Sequence, residues 1–114
     1  MIQIYGIKNC DTMKKAFKWL DDSQIQYQFN DYKKGALNEP LLRQWIDTLG
    51  WEALINKRGT TWRKLDDASK NTMSNELAVE TLLNTPSMIK RPLLIKENEI
   101  TLGFKAEEYR QLFS

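Results

Sequence analysis

Cys10 is the only cysteine in the chain, and its position suggests a chemical use. It follows a short isoleucine-rich run at residues 2–7 and precedes an apolar pattern of helical spacing over residues 13–20. We therefore predict Cys10 at or just before a helix N-terminus, where unpaired N–H groups and the helix dipole stabilise an anion. A thiolate is such an anion, and three lysines nearby add positive charge: Lys8, Lys14 and Lys15. The pattern predicts a lowered thiol pKa and a nucleophilic cysteine.

The alternative interpretation is that Cys10 is a small buried apolar side chain, as many lone cysteines are. A single cysteine excludes a disulfide within the chain, and one cysteine without any histidine argues against a zinc site. A catalytic cycle through Cys10 would therefore need an external thiol to resolve the covalent intermediate.

Length and composition bound the class of protein. The chain has 114 residues, 41% hydrophobic and 28% charged, which is typical of one soluble globular domain. A net charge of +2 is too small to indicate nucleic-acid binding by bulk charge. No segment has the apolar length of a signal peptide or a membrane span, so we expect a cytoplasmic protein without a membrane partner.

The elements that must position Cys10 can be read from the apolar periodicity. Alternating apolar residues at 25–29 predict a second strand after the first helix. Strand, helix and strand form a βαβ unit, so the two strands should be parallel with a right-handed crossover. Toward the end of the chain, residues 93–95 and 100–104 predict two antiparallel strands, and residues 106–113 a last helix.

A helical block separates these two parts. Asn38 and Pro40 predict a helix start and Gly50 its end, and Ser74 predicts the cap of a later helix. We expect three helical segments in this block, with residues 51–67 the least regular. Arg58 lies there in a basic run beside a glycine and two threonines, which is either a solvated face or a loop that holds an anion.

This order of elements, with a cysteine after the first strand and Arg91-Pro92 before the third, resembles the thioredoxin-like fold. The inserted helical block narrows the resemblance to the arsenate reductase (ArsC) family, and residues 5–16 look closest to its YffB-like branch. The resemblance implies a single α/β domain over residues 1–114 with a mixed four-stranded sheet. Its thioredoxin-like core would cover residues 1–35 and 87–114, and the helical insertion residues 36–86.

The resemblance also implies roles for individual residues. Cys10 looks like the nucleophile, and Pro92 like the cis-proline whose neighbouring backbone pairs with the peptide part of glutathione. Anion binding falls to a set of four residues: Thr12, Arg58, Arg91 and Lys105. Lys105 stands where arsenate reductases carry an arginine, so the charge is kept but the bidentate fork is lost.

The activity implied is that of a glutathione-dependent thiol reductase of bacterial type, with glutathione as co-substrate, no bound cofactor and glutaredoxin as a possible partner. Three alternatives stay open. The Spx branch of the superfamily implies a regulator that binds RNA polymerase, although one without a Cys-x-x-Cys switch, because Met13 occupies the second position. The others are an arsenate reductase and a family member with an unreactive Cys10.

Overall fold

The computed structural model describes residues 1–114 and contains four strands, seven α-helices and two short 3₁₀-helices, Tyr32–Lys34 and Pro86–Met88. The strands are β1 (Ile2–Gly6), β2 (Tyr27–Asp31), β3 (Leu93–Lys96) and β4 (Glu99–Leu102). The helices are α1 (Asp11–Asp22), α2 (Glu39–Leu49), α3 (Trp51–Leu54), α4 (Thr60–Arg63), α5 (Asp67–Asn71), α6 (Asn75–Asn84) and α7 (Ala106–Leu112). The chain folds into two compact units. We call Met1–Ala36 with Arg91–Ser114 the sheet unit, and Leu37–Lys90 the helical unit.

The sheet unit contains one mixed sheet with the strand order β2-β1-β3-β4. β1 runs parallel to β2, with Ile2 opposite Tyr27, and antiparallel to β3, with Tyr5 opposite Leu93. β3 and β4 are antiparallel. The predicted α/β class, the parallel βαβ pair and the mixed four-stranded sheet are therefore confirmed.

β2 begins two residues later than its alternating pattern suggests. The backbone of Gln24 has a positive φ of 58°, and the Ile25 N–H donates to the Leu20 carbonyl at 2.9 Å. Ile25 thus belongs to the turn that ends α1, although its side chain still packs against the core. Apolar alternation records which side chains point inward, but it does not show where the hydrogen-bonded ladder begins.

α1 covers one face of the sheet with its apolar stripe. Met13, Ala16 and Leu20 are fully buried against Ile4 of β1 and further apolar residues of β3 and α7. The approach between strand and helix is closest at Gly6, where an added Cβ would lie 2.5 Å from the Met13 Sδ. With any larger residue at position 6, the Met13 side chain would have to move from this place.

β3 and β4 are joined by a two-residue turn, Glu97 and Asn98, both with positive φ (50° and 71°). Such a turn matches the twist of a hairpin. It starts β4 at Glu99, one residue before the predicted start. α7 follows and buries Tyr109, whose ring contacts Trp19, Phe104 and Phe113 edge-on.

No helix of the structure has the length and apolar character needed to cross a bilayer.

The helical unit holds five helices rather than the three expected. The Asn38 side chain caps α2, accepting from the Leu41 N–H at 3.0 Å, and Ser74 caps α6, accepting from the Leu77 N–H at 3.3 Å. α2 ends at Gly50, whose φ is 85°. The extra helices α3, α4 and α5 have four or five residues each. Helices this short span little more than one turn, so they show no repeating apolar face in the sequence.

Candidate active site

Three segments of the sheet unit leave the sheet at the same edge. β1 ends at Gly6 and leads to Cys10, and β2 ends at Asp31, the partner of Gly6, and leads to Tyr32. β3 runs in the opposite direction and begins at Leu93, opposite Tyr5, so Arg91 approaches from this edge. The carboxyl ends of β1 and β2 and the amino end of β3 therefore meet at this edge. Their meeting brings together Cys10, Tyr32 and Arg91.

Cys10 is the N-cap residue of α1, as its position in the sequence predicts. Its backbone is extended (φ −134°, ψ 131°), and its carbonyl accepts the first helical hydrogen bond, from the Lys14 N–H at 3.0 Å. The thiol is half-buried and is not in a disulfide. The Cys10 side chain makes no capping hydrogen bond, but the backbone N–H groups of Met13 and Thr12 face the sulfur and lower the pKa of the thiol. Thr12 acts on the sulfur through its backbone.

The pKa of the Cys10 thiol lies below its ordinary value, as the balance of opposed effects. Partial burial raises the pKa, but hydrogen bonds from the Met13 N–H and from the Arg91 side chain lower it, together with the Arg91 charge and the Thr12 N–H. Among the charged side chains, Arg91 acts on the sulfur. Lys8, Lys14 and Lys15, expected to contribute, have exposed side chains.

Arg91 and Pro92 form the segment that faces the cysteine before β3 begins. The Arg91-Pro92 peptide is cis, in agreement with the resemblance. The Pro92 carbonyl accepts a hydrogen bond from the Gly103 N–H at 2.8 Å and is thereby engaged within the protein. Lys105 lies two residues beyond Gly103, at the N-cap of α7, with an exposed side chain.

Arg58 lies in the helical unit, in the turn between α3 and α4. Its side chain is exposed, and its backbone N–H donates to the Asn56 Oδ1 at 3.2 Å. The neighbouring Lys57 amino group lies over two indole rings, 5.5 Å from the Trp51 centroid and 5.8 Å from that of Trp62. The predicted anion-binding role of Arg58 stays a prediction that rests on the resemblance.

Tyr32 is a residue of this edge that sequence reasoning did not identify. It is 6% exposed, and its ring stacks on that of Tyr5 with centroids 6.4 Å apart. Burial and the nearby Tyr5 raise the pKa of the Tyr32 hydroxyl, while the Arg91 charge opposes that rise. The only sequence signal is its position shortly after the second predicted strand.

The sheet order, the cysteine at the N-cap position of α1 and the cis-proline before β3 define a thioredoxin-like protein with an inserted helical unit. Residues 5–112 match the sequence model of the ArsC family. The chain belongs to the ArsC family.

Relatives of known sequence or structure agree with this assignment. The solved structure of the YFFB protein is 43% identical, covers 100% of both chains and superposes with a TM-score of 0.93. An arsenate reductase (ArsC) related protein from Brucella melitensis is 46% identical over 98% of this chain and 93% of its own, with a TM-score of 0.82. The global transcriptional regulator Spx of Listeria innocua is 24% identical over 97% of this chain and 86% of its own. A Haemophilus influenzae protein of uncharacterised function is 43% identical over 100% of both chains.

Proposed function

We propose that this protein is a glutathione-dependent thiol reductase that uses Cys10 as its only nucleophile. The observation that carries the proposal is the Cys10 sulfur at the start of α1, where the Met13 N–H and the Arg91 side chain lower the thiol pKa. A lowered pKa raises the thiolate fraction near neutral pH, and the thiolate is the attacking species in thiol–disulfide exchange.

The proposed reaction has two exchange steps. In the first, the Cys10 thiolate attacks the glutathione sulfur of a mixed disulfide, so that a Cys10–glutathione disulfide forms and the other thiol leaves with a proton from solvent. In the second, the thiolate of free glutathione attacks the glutathione sulfur of that adduct, which regenerates Cys10 and releases glutathione disulfide. Each cycle consumes one free glutathione, whose sulfur joins the glutathione carried by the substrate as glutathione disulfide, while the rest of the substrate is released as a thiol.

The residues of the sheet edge supply binding and electrostatic stabilisation in this proposal. The N–H groups of Met13 and Thr12 hold the Cys10 thiolate before attack and when it leaves as the product of the second step. Arg91 holds the same charge and binds anionic groups of the substrate. Arg58 and Lys105 are proposed as further anion-binding residues, and the backbone beside Pro92 as the group that pairs with the glutathione peptide.

The experiment is turnover of a glutathione mixed disulfide, coupled to glutathione reductase and followed by NADPH oxidation. The wild-type protein should turn over, and after a single addition of substrate its mass should increase by one glutathione. Cys10→Ser should abolish both signals. Lys18→Gln, an exposed change on the same helix, should change neither. A Cys10→Ser protein with full turnover would sink the proposal.

A second candidate is a transcriptional regulator, favoured by the similarity to Spx over nearly the whole chain. In that case the arginine-bearing segments would contact RNA polymerase rather than a small thiol. The discriminating test is binding of the purified chain to bacterial RNA polymerase. Absence of a complex at micromolar protein, combined with glutathione turnover, would remove this candidate.

Arsenate reduction is a third candidate, supported by the description of the Brucella melitensis relative as related to arsenate reductase. The same assay tests it, with arsenate in place of the mixed disulfide and with glutathione and glutaredoxin present. Because a lysine at position 105 offers no bidentate grip on an oxyanion, we expect turnover with the disulfide to exceed turnover with arsenate.

A further inference from the structure

Tyr32 carries a buried hydroxyl for which the fold provides no hydrogen-bond partner. The side chain is 6% exposed, and its oxygen makes no hydrogen bond with any group of the protein. A buried hydroxyl without a partner costs free energy, so such groups call for an explanation in terms of a ligand or of function. Tyr32 is also the first residue after β2, at the same sheet edge as Cys10 and Arg91.

The environment of this hydroxyl suits an anion. The Arg91 guanidinium lies close enough for its charge to act on both the Tyr32 hydroxyl and the Cys10 sulfur. Burial and the stacked Tyr5 raise the pKa of Tyr32, so the group stays a neutral O–H donor at any physiological pH. An anion bound by Arg91 would give this donor the acceptor that the fold lacks.

We propose that the Tyr32 hydroxyl belongs to the substrate site and, together with Arg91, binds an anionic group of the molecule that Cys10 attacks. The anion is either a carboxylate of a thiol substrate or an inorganic oxyanion. A neutral donor binds either one without adding a second fixed charge beside the thiolate. The inference deepens the proposed function and rests on it for the identity of the substrate.

The first test uses two alkylating reagents of similar size and different charge, iodoacetate and iodoacetamide, at a pH where Cys10 is fully ionised. Removing the hydroxyl in Tyr32→Phe should lower the ratio of the iodoacetate rate to the iodoacetamide rate by about fivefold or more, as loss of a hydrogen bond to a charged group implies. Tyr109→Phe is the matched control, because its buried hydroxyl also lacks a hydrogen-bond partner but lies in the aromatic cluster of α7.

The second test needs no variant and uses sulfate as the probe of oxyanion binding. In wild-type protein with ¹³C-labelled tyrosine, titrated sulfate should shift the Cζ resonance of Tyr32 and leave that of Tyr109 in place. A response to iodoacetate alone assigns the site to carboxylate-bearing thiols, and a response to sulfate assigns it to oxyanions. The proposal is overturned if Tyr32→Phe matches Tyr109→Phe and sulfate leaves the Tyr32 resonance unmoved.

These readouts are separate from turnover. If the wild-type protein reduces no disulfide while Tyr32→Phe lowers the reagent ratio, the anion site stands and the reductase proposal fails. If the protein turns over normally while the ratio stays constant and sulfate leaves the Tyr32 resonance unmoved, the reductase proposal stands and the role of Tyr32 fails.

Discussion

The Arg91 side chain lies close enough to the Cys10 sulfur to lower the pKa of the thiol, which links the residue before the cis-proline to the N-cap residue of α1. The two lie at opposite ends of the sequence and meet because β3 runs antiparallel to β1, with Leu93 opposite Tyr5. Thiolate stabilisation in this protein is therefore shared between a helix end and a strand start.

Replacing Arg91 should raise the pKa of the Cys10 thiol. Arg91→Met removes both the hydrogen bond and the positive charge that oppose the effect of burial. The pKa, followed by thiolate absorbance in the ultraviolet, should move upward, and alkylation at pH 7 should slow. Arg110→Met, an exposed change on α7, should leave the pKa unchanged. Equal pKa values in wild type and Arg91→Met would show that the helix end alone sets the thiol chemistry.

Alkylation of wild-type Cys10 should depend on pH in the direction that a lowered pKa dictates. The rate should be constant above the pKa and fall as the pH drops through it, because the thiol form is unreactive.

The free energy of unfolding should depend on the same ionisation of Cys10. The advantage of wild type over Cys10→Ala should be complete above the thiol pKa of the unfolded chain and should be lost as pH falls through the lower folded value. Urea unfolding across pH 5 to 10 measures it.

Gly6→Ala should destabilise the sheet unit by about 1–3 kcal/mol, the usual cost of overpacking a core. The new methyl would lie 2.5 Å from the Met13 Sδ, and Met13 is fully buried, so the sulfur has little room to move. The double variant Gly6→Ala/Met13→Ala should lose less stability than the sum of the two single variants, because the shorter side chain removes the clash. Strictly additive losses in urea unfolding would contradict this contact.

Loss of the α2 cap should destabilise the protein by about 1 kcal/mol. Asn38→Ala removes the side-chain oxygen that accepts the Leu41 N–H at 3.0 Å. Asn38→Asp keeps an acceptor there and adds a negative charge favourable at a helix start, so it should retain wild-type stability. Thermal unfolding of the three proteins ranks them, and an Asp variant as unstable as the Ala variant would argue against capping.

Glu76 should make the stability of the helical unit depend on pH. The hydrogen bonds from Arg43, at 2.9 and 3.0 Å, lower the pKa of the Glu76 carboxyl. The stabilisation is therefore present above the unfolded-state pKa of about 4.3 and is lost as pH falls through the lower folded value. Glu76→Gln should be less stable than wild type at pH 7, by an amount that shrinks at pH 2 and in high salt. Glu80→Gln, exposed on the same helix, is the control.

The local chemistry of Cys10 was predictable from the sequence, because it depends on neighbours along the chain. An isoleucine-rich strand, a glycine and a helical apolar spacing suffice to place Cys10 at the start of α1. The same local signals gave β1, α1, the antiparallel strands and the capped ends of α2 and α6. They also predicted the parallel βαβ pair and the hairpin, and with them the α/β class, whereas the pairing of β1 with β3 has no local signal.

The partners that come from elsewhere in the chain were harder to predict. Arg91 was named from the family resemblance, but its effect on the pKa of Cys10 depends on the register between β1 and β3. Tyr32 follows a strand whose ladder begins two residues later than its apolar pattern suggests. Its place beside the segment that leads to Cys10 becomes evident only when the parallel pairing of Gly6 with Asp31 is known. The short helices of residues 51–71 were missed because a helix of about one turn is too short to show a repeating apolar pattern.

β1 lies between β2 and β3, so the strand that leads to Cys10 is hydrogen-bonded along both edges. Edge strands open by local fluctuation, whereas a central strand opens only when the sheet itself unfolds. The amide protons of β1 should therefore exchange with solvent at the rate set by global unfolding, more slowly than those of β2 and β4. The segment before the nucleophile is thus anchored in the slowest-opening part of the molecule, and the reactivity of Cys10 belongs to the folded state rather than to transiently opened forms.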